Sequence, residues 1–299
     1  MPRPTTLELS APLLAAVSAA ICAATGSAFE PLAAIPVSGG DINTAWRLDG
    51  AEGSRYFLKL NQQRLLPMFA AEAEGLSALA AGALRVPAPI AHGVADGCCF
   101  LALEYLQLAP RGNARLLGER LAALHRVTVE GFGLARDNFI GTTPQPNGWR
   151  NNWIDFWREQ RLGAQLQLAE RNGYGKPLRA LGAALMDKLP EFFANYSPQP
   201  SLLHGDLWGG NHAYLEDGSP AIFDPAPYYG DREADIAMTE LFGGYGADFY
   251  AAYRAAWPLH RGYAQRKPLY NLYHILNHAN LFGGGYARQA EQMMRALLA

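Results

Sequence analysis

The chain is short of cysteine, with three in 299 residues, Cys22, Cys98 and Cys99. Their spacing gives neither a zinc-ligand pattern nor a disulfide framework, which fits a reducing, cytoplasmic setting. It has no run of Lys or Arg, and 25 basic against 27 acidic side chains leave a formal net charge of −2. That balance argues against a nucleic-acid or membrane-surface footprint. No apolar run is long enough to cross a bilayer, and no internal repeat or low-complexity segment stands out. The Walker pattern and the dinucleotide glycine fingerprint are both missing. His274 and His278 stand at helical i, i+4 spacing, but the glutamate of an H-E-x-x-H zinc site is absent between them. What is there is a chain 49% hydrophobic, able to bury a large core in two lobes.

The chain is organised around Ser201 to Asn211, S-L-L-H-G-D-L-W-G-G-N, followed by A-I-F-D-P at Ala221 to Pro225. His204, Asp206 and Asn211 share one loop, and Asp224 follows. In the protein-kinase signature His-x-Asp is followed by Asn five residues after the Asp, then by a further Asp that ends a strand. There the first Asp accepts the proton of the attacking hydroxyl, while the Asn and the second Asp hold Mg²⁺. Leu202 and Leu203 anchor the loop, and Gly205, Gly209 and Gly210 are expected to give it backbone freedom. His212 to Leu215 and Ala221 to Phe223 read as a hairpin that returns Asp224 beside Asn211. The bland reading is a polar loop whose Asp and Asn cap turns; the matching distances favour the magnesium pocket.

Residues 1–106 read as a nucleotide-binding lobe. Ala11 to Ala24 resembles a signal-peptide core, but Ser10 as N-cap, Pro12 in the first turn and Gly26 past the end favour a helix. Leu13, Leu14, Val17 and Ile21 then share one face. Gly39 and Gly40 sit at a hairpin tip where backbone N–H groups can approach phosphates. Arg55 to Asn61 is a strand with Phe57, Lys59 and Asn61 on one face, so Lys59 is expected exposed toward ATP. The following helix, Met68 to Ala81, offers it a partner. Glu72 projects from the apolar face that packs on the sheet, whereas Glu74 points to solvent. Glu104, Tyr105 and Leu106, after the buried run Phe100 to Leu103, form a connector whose backbone would hold adenine.

Residues 107–299 read as the catalytic and substrate-binding lobe. Asn113 to Arg126, Asn151 to Glu170 and Lys176 to Tyr196 are helical, with Arg158 and Arg161 solvated or structurally paired. The stretch 131–149 is long for a structureless loop, and Asn138, Gln145 and Asn147 are expected on an ordered surface lining the acceptor site. Asp231 is a candidate N-cap, and Asp235 a candidate acceptor for catalytic-loop backbone N–H groups. Asn277, His278 and Asn280 either face substrate or pack between helices.

Taken together, V-S-G-G-D-I-N, L-K-L-N, F-x-x-E-x-E-G-L, T-P-Q-P-N, L-L-H-G-D-L-W-G-G-N, F-D-P-A-P-Y-Y-G-D-R-E-A-D and L-N-H-A-N-L-F-G-G resemble the fructosamine kinase / ketosamine-3-kinase family from about Val37 to Gly285. The resemblance implies an α+β, bilobal protein-kinase-like fold with a small β-rich N-lobe and a larger helical C-lobe. It implies ATP- and Mg²⁺-dependent phosphorylation of the 3-hydroxyl of ketosamines, free or on protein amines, which leads to their release. Asp206 would be the proton acceptor, Asn211 and Asp224 the magnesium ligands. Lys59 with Glu72 would hold ATP phosphates, and Trp208 and His278 would contact the ketosamine. A monomer is expected, with a dimer left open. Gly205 replaces the Arg of protein kinases and Pro225 the Phe of D-F-G, so no activation-loop switch is expected. The glycine loop lacks the cysteine that some members use for redox-controlled dimerisation. Two alternatives stay open: a kinase of the aminoglycoside/choline type acting on another hydroxylated metabolite, and a catalytically silent nucleotide-binding protein.

Overall fold

Ser10 opens the first helix as its cap, its hydroxyl accepting from the Leu13 N–H at 3.3 Å. Helix α1 (Ala11–Thr25) ends where Gly26 turns left-handed at φ 70° and returns its N–H to the Cys22 carbonyl at 2.9 Å. A computed structural model describes residues 9–38 and 42–299. The stripe Leu13, Val17 and Ile21 is fully buried, so the segment that resembles a signal-peptide core is a packed helix.

The chain forms two compact units. Unit 1 draws on the chain up to Ala81, on Arg85–Gly112 and on Ala213–Phe223. Unit 2 takes Gly82–Leu84, Asn113–His212 and Asp224–Ala299. A single cut after Leu106 misses that interleaving, because the hairpin after the catalytic loop joins unit 1.

In unit 1, β1 (Pro31–Val37), β2 (Thr44–Gly50), β3 (Arg55–Gln62), β4 (Pro89–Ala95) and β5 (Cys98–Glu104) form an antiparallel sheet in the order β1-β2-β3-β5-β4. Helix α2 (Leu66–Leu79) follows β3. Alternation along β2 and β3 sends Leu48, Leu58 and Leu60 to one face. There they meet Phe100 and the buried stripe of α1. A short strand β6 (Leu108–Ala109) completes the segment before unit 2.

Unit 2 is mostly helical. Asn113 caps α3 (Ala114–His125), its side chain accepting from Leu116 N at 2.9 Å. The stretch 131–149 is ordered by a hairpin, β7 (Asn138–Ile140) with β8 (Thr143–Gln145). The expected single helix over 151–170 is instead α4 (Trp153–Phe156), a π-helical turn over Trp157–Gly163, and α5 (Ala164–Arg171). The π turn carries Arg161, which is fully buried, donating to the carbonyl of Pro146 at 2.6 Å and to Asn147 Oδ1 at 2.8 Å. Its guanidinium lies 3.8 Å from the Tyr228 ring centroid. Widened turns of this kind concentrate near functional sites.

After α6 (Lys176–Phe192), β9 (Ser201–Leu203) leads into the catalytic loop. The chain next gives the hairpin β10 (His212–Leu215) and β11 (Pro220–Ile222), which pairs with β6. It returns as β12 (Tyr228–Gly230), antiparallel to β9. The remaining helices are α7 (Glu233–Thr239), α8 (Ala247–Ala256), α9 (Tyr263–Phe282) and α10 (Tyr286–Leu298). Helix α9 runs through the core, burying Leu269, Tyr270, Leu272, Tyr273, Ile275 and Leu276.

Candidate active site

The loop after β9 is pinned before it reaches Asp206. Gly205 sits at φ +82°, and a Cβ placed on it would lie 2.0 Å from the carbonyl oxygen of Ala226. Only glycine fits there. Asp235, in the first turn of α7 and 2% exposed, accepts the backbone N–H groups of His204 at 2.7 Å and Gly205 at 2.9 Å. Its Oδ2 also faces His125 Nε2 at 3.1 Å. Burial pushes the Asp235 carboxyl up, but the bond to and charge of His125, with His204 and the Gly205 N–H, hold it below the usual carboxylate range. The Asp235 assignment made from sequence therefore stands, whereas the glycine expectation narrows. Gly209 and Gly210 carry no left-handed φ; a Cβ on Gly210 would strike the Trp208 ring at 2.3 Å, and Gly209 faces open space.

Asn211 gathers the three motif positions. Its Nδ2 donates to the Asp206 carbonyl at 2.8 Å, to Asp206 Oδ2 at 3.4 Å and to the Asp224 carbonyl at 3.4 Å. Asp224 is exposed and adopts φ +57°. A left-handed non-glycine residue is strained, and such strain clusters at functional sites. Burial first, then the neighbouring charges of Asp224 and Asp235, push the Asp206 carboxyl up to about 7, against the Asn211 hydrogen bond. Its side chain stays 22% exposed, so a hydroxyl can reach it. The Asp224 carboxylate and the side-chain oxygen of Asn211 are hard-oxygen donors, which fits Mg²⁺.

Aromatic side chains gather near Asp206. Trp208 is 40% exposed, and its ring meets Phe242 edge-on at 6.5 Å. Phe242 packs on His278 at 4.9 Å, and His278 also contacts Phe282 at 5.4 Å and Tyr286 at 5.2 Å. Trp208 and His278 thus belong to one chain of rings, whose other members the sequence reading missed. It also missed His274, whose Nδ1 lies 3.8 Å from Asp206 Oδ1. The available signal was the i, i+4 spacing, which puts His274 and His278 on one face of α9. Burial, then the neighbouring His278, push the His274 imidazole down to about 3.

Other expected acceptor residues are internal. Asn138, Gln145 and Asn147 are buried rather than on a lining surface. Gln145 and Asn147 both donate to Asn138 Oδ1 at 2.8 Å. Asn138 donates to the Pro227 carbonyl at 2.7 Å and Gln145 to that of Ala226 at 3.0 Å. The T-P-Q-P-N segment therefore clamps the backbone just after Asp224. Asn277 accepts from Gln165 at 3.2 Å and Asn280 donates to Gln165 Oε1 at 2.8 Å, which is helix packing. Asp231 is also buried, accepting from the Tyr270 and Tyr196 hydroxyls and from the Glu233 N–H at 3.0 Å.

In unit 1, Lys59 Nζ donates to Glu72 Oε1 at 2.5 Å. Lys59 is only 6% exposed, so the expectation of an exposed lysine is wrong. The helix face that packs on the sheet covers it. Glu74 is exposed, as the helical angle requires. Glu104 ion-pairs with Arg85 and accepts the Ala88 N–H at 3.2 Å. Its own N–H donates to the Ala88 carbonyl at 2.8 Å. Tyr105 holds its ring 5.6 Å from the Arg47 guanidinium, and Leu106 follows half-buried. Gly39 and Gly40 lie outside the described residues.

The fructosamine kinase family model matches residues 13–299. A probable ketoamine kinase of Synechocystis sp. is 50% identical over 279 residues, covering 92% of this chain and 93% of that one. A chloroplastic protein-ribulosamine 3-kinase of Arabidopsis thaliana is 44% identical over 260 residues, covering 85% and 79%. Among solved structures, a Haemophilus somnus protein provisionally assigned as a fructosamine-3-kinase superposes with a TM-score of 0.86 at 29% identity, covering 95% and 97%. The aminoglycoside phosphotransferase APH(2'')-Ib, at a TM-score of 0.61 and 10% identity over 90% and 95% of the chains, shares the protein-kinase-like fold alone. Both the α+β architecture and the motif order agree with these likenesses, and the chain belongs to the fructosamine kinase family.

Proposed function

We propose that this protein transfers the γ-phosphoryl group of ATP to the 3-hydroxyl of a ketosamine. The observation that carries the reading is the Asp206–Asn211–Asp224 cluster, in which one carboxyl is pushed up to about 7. A base with a pKa near working pH is suited to accept a proton from a sugar hydroxyl. The hydroxyl oxygen forms its bond to the γ-phosphorus as the bond to the β–γ bridging oxygen breaks. ADP leaves, and the hydroxyl proton passes to Asp206. Asn211 and Asp224 would hold Mg²⁺, whose charge offsets that of the phosphates. Lys59, kept in place by Glu72, engages ATP phosphates, and the Glu104–Leu106 connector receives adenine. Phosphoryl transfer asks mainly for positioning and charge stabilisation, and Asp235 and the Asn138 clamp supply the positioning of the loop.

Trp208 and His278 contact the ketosamine. The 3-phosphorylated adduct breaks down and frees its amine, so the activity serves deglycation, in the cytoplasm. No helix among the described residues is long and apolar enough to cross a membrane. The test is phosphate transfer from ATP to fructosyl-, ribulosyl- and erythrulosyl-lysine, beside choline and an aminoglycoside. Transfer to the ketosamines supports the reading; transfer only to choline or the aminoglycoside overturns it.

A further inference from the structure

His274 stands out among the buried polar groups near the catalytic loop because its unpaired atom faces Asp206. Its side chain is 6% exposed, yet among the described residues its Nδ1 has no hydrogen-bond partner. An unsatisfied buried polar atom costs free energy, and each such atom calls for an explanation. Here the explanation lies in what it faces. Nδ1 stands 3.8 Å from Asp206 Oδ1, beyond direct hydrogen-bond reach but close enough for both atoms to meet one small polar ligand. The imidazole cannot easily turn away. It sits in the buried stretch of α9 with the Tyr273 ring against it at a centroid distance of 5.2 Å. Held neutral by burial, it offers a hydrogen bond without competing with Asp206 for the proton in flight.

We propose that His274 Nδ1 hydrogen-bonds the hydroxyl next to the one that Asp206 deprotonates, so that the site reads a vicinal diol. This rests on the ketosamine reading and adds a specificity rule to it. On a ketosamine phosphorylated at the 3-hydroxyl, the neighbour is the 4-hydroxyl. It is present in four-, five- and six-carbon adducts, whether the sugar is open or closed at C2. Hydroxyls on adjacent carbons, when gauche, stand about a hydrogen-bond length apart, so two receiving atoms at the observed separation can engage both. His274 therefore does not measure sugar length. It checks that the reacting carbon has a hydroxylated neighbour on the side away from the amine.

The test compares kcat/KM for fructosyl-lysine and its 4-deoxy and 5-deoxy analogues in the wild type, His274→Asn, His274→Gln and His274→Leu. Asn keeps a polar atom near the Nδ1 position, whereas Gln moves it toward that of Nε2. The wild type is expected to lose roughly 10- to 100-fold on the 4-deoxy sugar, the scale of leaving one buried polar partner unpaired, and little on the 5-deoxy sugar. His274→Asn should keep most of that discrimination, while His274→Gln and His274→Leu should reduce it to about threefold or less. The Asn and Gln pair carries the comparison even where the Leu variant does not fold. A 4-deoxy penalty that is absent in the wild type, or equal in all folded variants, overturns the inference alone, because no coupling then links the residue to that hydroxyl. Where fructosyl-lysine itself is not turned over, the comparison runs on ribulosyl-lysine and its 4-deoxy and 5-deoxy analogues. Failure of the wild type on fructosyl-, ribulosyl- and erythrulosyl-lysine alike removes the proposed function, and this inference with it.

Discussion

Gly205 presents its α-carbon to Ala226 so closely that a methyl group there would sit 2.0 Å from the Ala226 carbonyl oxygen. The two segments that carry Asp206 and Asp224 are locked at this point, and the Ala226 N–H returns to the His204 carbonyl at 2.9 Å. Gly205→Ala must both adopt a left-handed φ and push the segments apart. A loss of about 2–4 kcal/mol in chemical denaturation is expected. Gly209→Ala, with open space and no left-handed φ, should change stability by less than about 1 kcal/mol.

Asp235→Ala should be among the most damaging changes away from the reacting atoms. It strips the acceptor from two consecutive loop N–H groups and leaves His125 facing a hole. Buried charged hydrogen-bond acceptors lost in this way cost about 3–5 kcal/mol. The sign with pH follows from the depressed carboxyl. Its contribution is present above the ordinary aspartate range and is lost as pH falls through the folded-state value, so wild type and variant should converge only in strong acid.

His274 adds an acid sensitivity of the same sign, in a higher pH window. The folded protein holds it neutral down to about 3, while its ordinary value is 6.5. Between those values the unfolded chain binds the extra proton, so stability falls as pH drops below about 6.5. Urea titrations from pH 7 to pH 4 should show a shallower acid decline in His274→Asn than in the wild type. Parallel declines would mean that His274 takes its proton without unfolding.

Glu72→Ala removes the carboxylate that accepts from the buried Lys59 ammonium, whereas Glu74→Ala removes an exposed side chain. Steady-state kinetics should give a fall of roughly 10- to 100-fold in kcat/KM for ATP in the first and nearly none in the second. Equal effects in folded proteins would break the assignment of Glu72 as the lysine's partner.

Local signals made much of this legible from the sequence. Ser10, Asn113 and Gly26 mark helix ends that the structure keeps, because caps depend on neighbours a few residues away. The helical angle separated Glu72 from Glu74 for the same reason. What stayed hidden depended on distant partners. The burial of Lys59 follows from the packing of α2 on the sheet, and the π turn at Trp157–Gly163 accompanies the bonds of Arg161 to Pro146 and Asn147. Asn138, Gln145 and Asn147 look like surface polar residues in one dimension. Asn138 and Gln145 donate to the carbonyls of Pro227 and Ala226, about eighty to ninety positions along the chain, and Asn147 is tied to Asn138 and Arg161. His274 was visible as half of a histidine pair, but its place beside Asp206 is a tertiary fact.

The central claim is that the Asp206 carboxylate takes the proton of the ketosamine hydroxyl. It is tested most directly by phosphate transfer from ATP to fructosyl-lysine in wild type and Asp206→Asn, with ATP affinity measured in parallel. The account predicts unchanged ATP binding and a kcat lower by roughly 100- to 10,000-fold in the variant. Turnover close to that of the wild type would contradict it.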